Sequence, residues 1–316
     1  MVMSSLEQGA RTIVEQCMDI QNDEEVLVVN DSNDQDLIDA LMAVLNENTD
    51  KAELMEYEEP ETSGMEPPEE VAERMKQVDA VIAPTNKSIS HTNAREAACE
   101  NGAKVATLPT INKEVWQQAL LADFDRVAEI TDTVYDLMKD VDEIRVKTPS
   151  GTDVTLSIVN EALHKDKGTI GPGDFSNLPA GEVFTSPVNM NGRMVIDNLP
   201  VEGSGTEVEI KNNEVVAIDG EECEFTRGLN SNECARKMAE FGFGTNPEAD
   251  PIDNVLQDEK ALGTVHFAFG DNTFILPEDA EGQNPCGIHW DNVCLNPTVW
   301  FDGRKVLDEG GPVFLD

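Results

Sequence analysis

Histidine is scarce in this chain, with four among 316 residues, and tyrosine is scarcer still with two. Positive charge is also short: 22 Lys plus Arg stand against 63 Asp plus Glu, a net charge of −41. The acidic residues run the length of the chain, and a surface of that sign repels phosphate, which makes nucleic acid and anionic membrane poor partners. No run of 18 apolar residues occurs, so no segment reads as a bilayer-spanning helix. The N-terminal "MVMSSLEQGARTIVEQC" lacks the basic-then-apolar pattern of a secretory leader. The expectation is a soluble cytoplasmic protein. The six cysteines (17, 99, 223, 234, 286 and 294) form no CxxC pair and are irregularly spaced, so neither a disulfide framework nor a zinc knuckle is expected, and they read as small buried apolar residues. No GxGxxG or GxxxxGK[ST] follows a strand-like run, which leaves a nucleotide site without a motif.

What is present is enough apolar content, 39%, to build sizeable cores. Self-repulsion at −41 destabilises a compact state at low salt and is screened at molar salt, so the acidity reads as adaptation to a halophilic cytosol. From about residue 25 the pattern alternates. "EEVLVVN" reads as a buried strand, and "DQDLIDALMAVLNEN" carries Leu37, Ile38, Leu41, Val44 and Leu45 at helical spacing. "KAELMEYE", "DAVIAPT" and "AKVATLP" read as further strands, with helices in "PEEVAERMKQV" and "HTNAREAACENG" between them. Strands alternating with helices predict a parallel sheet with helices on its faces. Residues 111–140 read as helical and as a bridge, with Trp116, Leu120, Leu121, Val127 and Ile130 forming a packed face.

Beyond residue 140 the pattern changes to alternating strands joined by Gly, Asn and Asp turns, with hairpins at "KNNEV" and "FDGRK". The fold class expected is α/β and α+β: a Rossmann-like parallel α/β domain with bridging helices over residues 1–145, then a β-rich metal-binding, catalytic domain over 146–316.

Two of the four histidines, His266 in "GTVHFAFG" and His289 in "IHWD", lie close together near the C-terminus. In a strand, period two points His289 and Asp291 to one face and Trp290 to the other, which makes a chelating pair. Glu240, between Ala239 and Phe241, and Glu182, between Gly181 and Val183, are carboxylates in segments that read as entering a core, where an unpaired charge is costly. Glu259 precedes His266 in "DEKALGTVHFAFG". Two imidazoles with several carboxylates suit zinc, cobalt, manganese or iron better than calcium. His91, His164 and Arg193 read as surface, capping or loop positions.

At "NLPAGEVFTSP", "AEFGFGTN", "GTVHFAFG" and "IHWD" the sequence resembles the thermophilic metalloaminopeptidases of the aminopeptidase T type. The resemblance implies a homodimeric hydrolase that removes N-terminal amino acids from peptides, with two divalent ions (Zn, Co or Mn). It implies Glu240 as the shared carboxylate and Glu182, Glu259, His266, His289 and Asp291 as the other ligands, with Glu182 also carrying the proton to the leaving amine. Where those peptidases carry a Tyr some seven residues after the first His, this chain has Thr273. A relative of the same fold resembles a ring-cleaving dioxygenase acting on dihydroxypyridines. That alternative implies one Fe(II) on His266, His289 and Asp291 and a small aromatic substrate. The retained Glu182 and Glu240 favour the two-metal peptidase; a silent binding protein on the same fold would not retain metal.

Overall fold

The computed structural model describes residues 4–277 and 279–315. It divides into two compact units. The first comprises residues 1–128 and 166–180, the second residues 129–165 and 181–316. The division thus falls inside the helix Phe124–Met138 and not at 145/146. Segment 166–180 also belongs with the first unit, because its strand Phe175–Asn177 extends the N-terminal sheet.

In the first unit five strands lie in the order Ala52–Glu56, Val26–Asn30, Ala80–Ala83, Lys104–Thr107, Phe175–Asn177, all parallel. Val26–Asn30 is buried along its whole length, as a central strand covered on both faces must be. The helix Gln35–Asn48 starts where the Asp34 carboxylate accepts the Asp36 N–H, and its buried residues are the five that the periodicity marks. The helix Asn93–Glu100 is capped by Thr92 and not by His91. The stretch 111–140 is not one helix but three pieces, Lys113–Trp116, Ala119–Leu121 and Phe124–Met138.

The second unit holds two sheets. The larger has eight strands in the order Glu214–Asp219, Glu207–Lys211, Pro187–Val195, Asp153–Ile158, Ile144–Lys147, Thr298–Phe301, Arg304–Asp308, Gly311–Pro312. Both expected hairpins are present in it: Asn212 with Asn213, and Asp302 with Gly303, take the positive φ pairs that a tight two-residue turn between twisted strands requires. The smaller sheet runs His289–Cys294, Val265–Gly270, Met238–Gly244, Glu182–Thr185, with His164–Asp166 at its edge. His164 is therefore in a strand and not a loop; its Nε2 lies 2.8 Å from the Ile275 carbonyl. Arg193 is likewise in a strand, paired with Glu207.

Alternation along the smaller sheet separates packing from chemistry. Phe241, Phe243, Phe267 and Phe269 are fully buried in the core that both sheets share, each contributing roughly 2 kcal/mol by the area it removes from water. The residues between them, in "EFGFG" and "HFAFG", face the other way. No helix of the described residues is long and apolar enough to cross a membrane.

One disulfide, Cys234 to Cys286, is present, so the reading of all six cysteines as apolar filler needs correction. The two are 52 residues apart, and only the packing of the turn Glu233–Arg236 beside the approach to His289–Cys294 brings their Cα atoms to 5.6 Å. Cys17, Cys223 and Cys294 are buried thiols as expected, and Cys99 is half-buried.

Candidate metal centre

Four antiparallel strands present one face to the site. Pairing sets Glu240 opposite Ala268 and Ala268 opposite Asp291, so the two carboxylates flank a methyl group across three strands. In the next rows, Gly270 faces His289, Gly242 faces His266, and Gly244 faces Glu182. Each functional side chain therefore has a small neighbour across the ladder, and that smallness is what lets large polar groups converge above the sheet. The sixth residue, Glu259, comes from outside the sheet, at the C-terminal end of the short helix Val255–Asp258. That turn is fastened to the sheet by Asn246 N–H donating to the Lys260 carbonyl (2.8 Å) and Leu262 N–H donating to the Asn246 carbonyl (2.9 Å).

All six residues marked in the sequence meet here. Nε2 of His266 lies 3.2 Å from Glu240 Oε1 and 3.5 Å from Glu182 Oε2. Nε2 of His289 lies 3.4 Å from Glu240 Oε2 and 3.4 Å from Asp291 Oδ1. Three sets of ligand atoms lie within 4.8 Å of one another: Glu182, Glu240 and His266; Glu240, His289 and Asp291; Glu259, His266 and Asp291. Each set joins one histidine to two carboxylates. Glu240 stands between the two imidazoles, an arrangement richer in carboxylate than a bare triad of His266, His289 and Asp291.

The ring of His289 is fixed from behind. Its Nδ1 lies 2.7 Å from the Asp271 carbonyl, which only an Nδ1–H can satisfy, so in the neutral ring the Nε2 lone pair points at Glu240 and Asp291. A lone pair facing two carboxylates is repulsive unless a proton or a metal cation stands between them. Asp271 is itself held, its Oδ1 accepting from the Thr273 hydroxyl (2.7 Å) and its Oδ2 from the Cys286 N–H (2.8 Å). Thr273 thus braces the loop behind His289.

Electrostatics say the same. Burial opposes the charge on His266, yet the hydrogen bond to Glu240 and the charges of Glu182 and Glu259 lift its pKa to about 9. His289 is raised well above the ordinary imidazole value against the same burial, through Asp291 and Glu240. Burial would raise Glu240, but its hydrogen bonds to both histidines hold it well below the usual carboxylate range. Glu259 goes the other way, pushed up to about 7 by burial, with Asp291 and Glu182 adding to the rise against Lys260. A cluster that draws protons onto both imidazoles is one that draws cations. Two imidazole nitrogens and several carboxylate oxygens, with His289 oriented from behind by a carbonyl, fit a divalent transition-metal ion.

Sequence reasoning missed Lys260, which follows Glu259 in "DEKALG" and has the look of a surface residue, yet is only 3% exposed. It pairs with Glu182 and, at 2.8 Å, with Glu259. Its signal was its place beside Glu259, a carboxylate already marked as a candidate ligand.

A family model matches residues 7–313, and its description is NicX, 2,5-dihydroxypyridine 5,6-dioxygenase. The chain belongs to this dioxygenase family. Among solved structures it is similar to 2,5-dihydroxypyridine dioxygenase from Pseudomonas putida KT2440, at 18% identity and a TM-score of 0.77, with 98% of each chain covered. It is also similar to wild-type AmpT from Thermus thermophilus, at 17% identity and a TM-score of 0.71, covering 98% of this chain and 99% of that one. At such identities the two structures establish a common fold. No curated protein matches the chain by sequence. The fold resemblance to aminopeptidase T therefore holds, but the hydrolase reading is corrected: the family that spans the chain is one of oxidoreductases. The leaving-group role given to Glu182 belonged to the hydrolase reading and goes with it; its Oε1 is paired with Lys260.

Proposed function

We propose that the chain is an Fe(II)-dependent dioxygenase that opens the ring of a dihydroxylated pyridine or a closely related small aromatic compound. The observation that carries the reading is the cation-demanding geometry at His289, whose Nε2 faces Glu240 and Asp291 while Nδ1 is occupied by a backbone carbonyl. Membership of the dioxygenase family supplies the reaction type. His266, His289 and Asp291 would hold the ion, with Glu240 offering its carboxylate between the imidazoles. When bound, ferrous iron supplies the electrons and open positions through which dioxygen, otherwise spin-forbidden, reacts with a ring.

The chain's own residues prepare that chemistry. Burial of His266, Glu240, Glu182 and Glu259 keeps bulk water from the sheet face and strengthens every interaction there. The Asp271 carbonyl keeps His289 in the tautomer whose Nε2 is a donor of electrons. Lys260 holds Glu182 and Glu259 as an ion-paired wall. Phe274, 44% exposed, stands edge-on to the His289 ring with centroids 5.0 Å apart and offers an aromatic face beside the site.

The deciding assay is oxygen uptake by anaerobically iron-loaded protein on adding 2,5-dihydroxypyridine, with loss of the ring absorbance followed in parallel. Uptake that disappears in His289→Ala and Asp291→Ala supports the reading. Folded, iron-loaded protein that consumes no oxygen with any dihydroxylated pyridine or benzene sinks it.

A further inference from the structure

Lysine is almost never fully buried unless it is paired, and Lys260 is buried among carboxylates. Its ammonium binds Glu182 Oε1 and lies 2.8 Å from Glu259 Oε1. Glu182 directs its other oxygen, Oε2, to within 3.5 Å of His266 Nε2. The wall of the site formed by Glu182 and Glu259 is thus closed by a fixed positive charge that the chain itself provides.

The charge count explains why such a group is useful. Glu182, Glu240, Glu259 and Asp291 bring four carboxyl groups around two imidazoles that are neutral as ligands. A single divalent ion leaves that set under-neutralised, and a buried uncompensated carboxylate is costly. Paired-metal sites solve this with a second divalent ion about 3.5–4 Å from the first. Here one oxygen of each carboxylate such an ion would draw on, Glu182 Oε1 and Glu259 Oε1, already holds an ammonium. A divalent ion and an ammonium compete for these carboxylates, because the two cations repel each other at close range. The backbone holds Lys260 in place: its carbonyl accepts from Asn246 N–H, and Ala261 packs its carbonyl against Gly244, where a Cβ would approach to 2.2 Å.

We propose that the Lys260 ammonium takes the place of a second metal ion, so that the centre binds one divalent ion per chain and removal of the Lys260 charge opens a second site on Glu182 and Glu259. The inference rests on the metal-binding half of the proposed function and is independent of the ring-cleaving half.

The test is metal stoichiometry. Full-length protein is stripped with chelator, reloaded with Mn(II) and gel-filtered, and the metal-to-protein ratio is measured for the wild type, Lys260→Met, Lys260→Gln and Lys260→Arg. The expected ratios are one for the wild type and Lys260→Arg, and two for Lys260→Met and Lys260→Gln. The Mn(II) paramagnetic resonance spectrum provides a second readout: six lines of an isolated ion in the wild type, and an exchange-coupled pair in the neutral variants. Two ions in the wild type overturn the inference, as does one ion in a folded neutral variant. If both neutral variants fail to fold, the wild-type ratio and spectrum decide alone. A wild type that retains no ion removes the metal reading itself, whereas one ion with no oxygen uptake leaves this inference standing and removes only the dioxygenase reading.

Discussion

Gly242 lies directly across the ladder from His266, and the imidazole fills the space a side chain at 242 would need: a Cβ there would come within 2.0 Å of His266 Cε1. The glycine is what allows His266 to lean over the neighbouring strand toward Glu240. Gly242→Ala is expected to displace the ring and weaken metal binding at least about tenfold, an effect of the size seen when the support of a ligand is lost. Titration calorimetry with Mn(II) checks this; unchanged affinity in a folded variant would refute the packing argument.

Asp271 supports His289 without facing the metal face. Asp271→Ala keeps the carbonyl but removes the carboxylate that ties Thr273 and Cys286 to it. The expected outcome is a loss of roughly tenfold in metal affinity with the global fold retained, read by calorimetry alongside circular dichroism.

The metal-free protein should respond to pH in a defined direction. The His266 pKa is about 9 in the folded chain against an ordinary 6.5, so its protonation stabilises the fold fully below about 6.5, and that contribution is lost as pH rises through about 9. Melting temperature of chelated protein should therefore fall over this window, and His266→Gln should flatten the profile. Metal affinity should climb over the same range, because the ion competes with the proton. A chelated protein whose melting point rises from pH 6.5 to 9 would contradict the assigned cluster.

Salt should stabilise. With 63 acidic and 22 basic residues the chain carries a large excess of one sign, and the screening length shrinks from about 10 Å at 0.1 M to about 3 Å at 1 M. Raising KCl from 0.1 to 2 M is expected to raise the melting temperature by about 5 °C or more, even though salt weakens individual pairs such as Arg11–Glu47. A melting point that drops with KCl would show that those pairs outweigh the net repulsion.

If the substrate is a planar ring, Phe274 beside His289 should contribute to its binding. Phe274→Ala is predicted to raise KM by roughly three- to tenfold, the worth of one aromatic contact, with kcat changed less. Steady-state oxygen uptake separates the two constants, and a fall in kcat alone would assign Phe274 a different role.

Much of the centre could be read directly from the chain, because strand periodicity is local. "EFGFG" and "HFAFG" set bulky core residues against small or polar site residues at period two, and "HWD" places His289 and Asp291 on one face by the same rule. Three of the first four parallel strands were legible as buried apolar runs separated by helical spacing, and the fourth, Ala52–Glu56, is a partly buried edge strand. The fifth, Phe175–Asn177, was not: three residues carry no period, and only pairing with Lys104–Thr107 makes them a strand.

What the sequence determined by itself was therefore most of the longer elements, their buried faces, the charge excess and the six ligand candidates. The tertiary structure decided which of these meet and what compensates them. Gly242 opposite His266, the Asp271 carbonyl behind His289, the Cys234–Cys286 bridge and the burial of Lys260 between Glu182 and Glu259 all depend on contacts between segments far apart along the chain. Periodicity reports which way a side chain points, but the charge balance of a buried cluster is a property of the whole neighbourhood, and only folding assembles it.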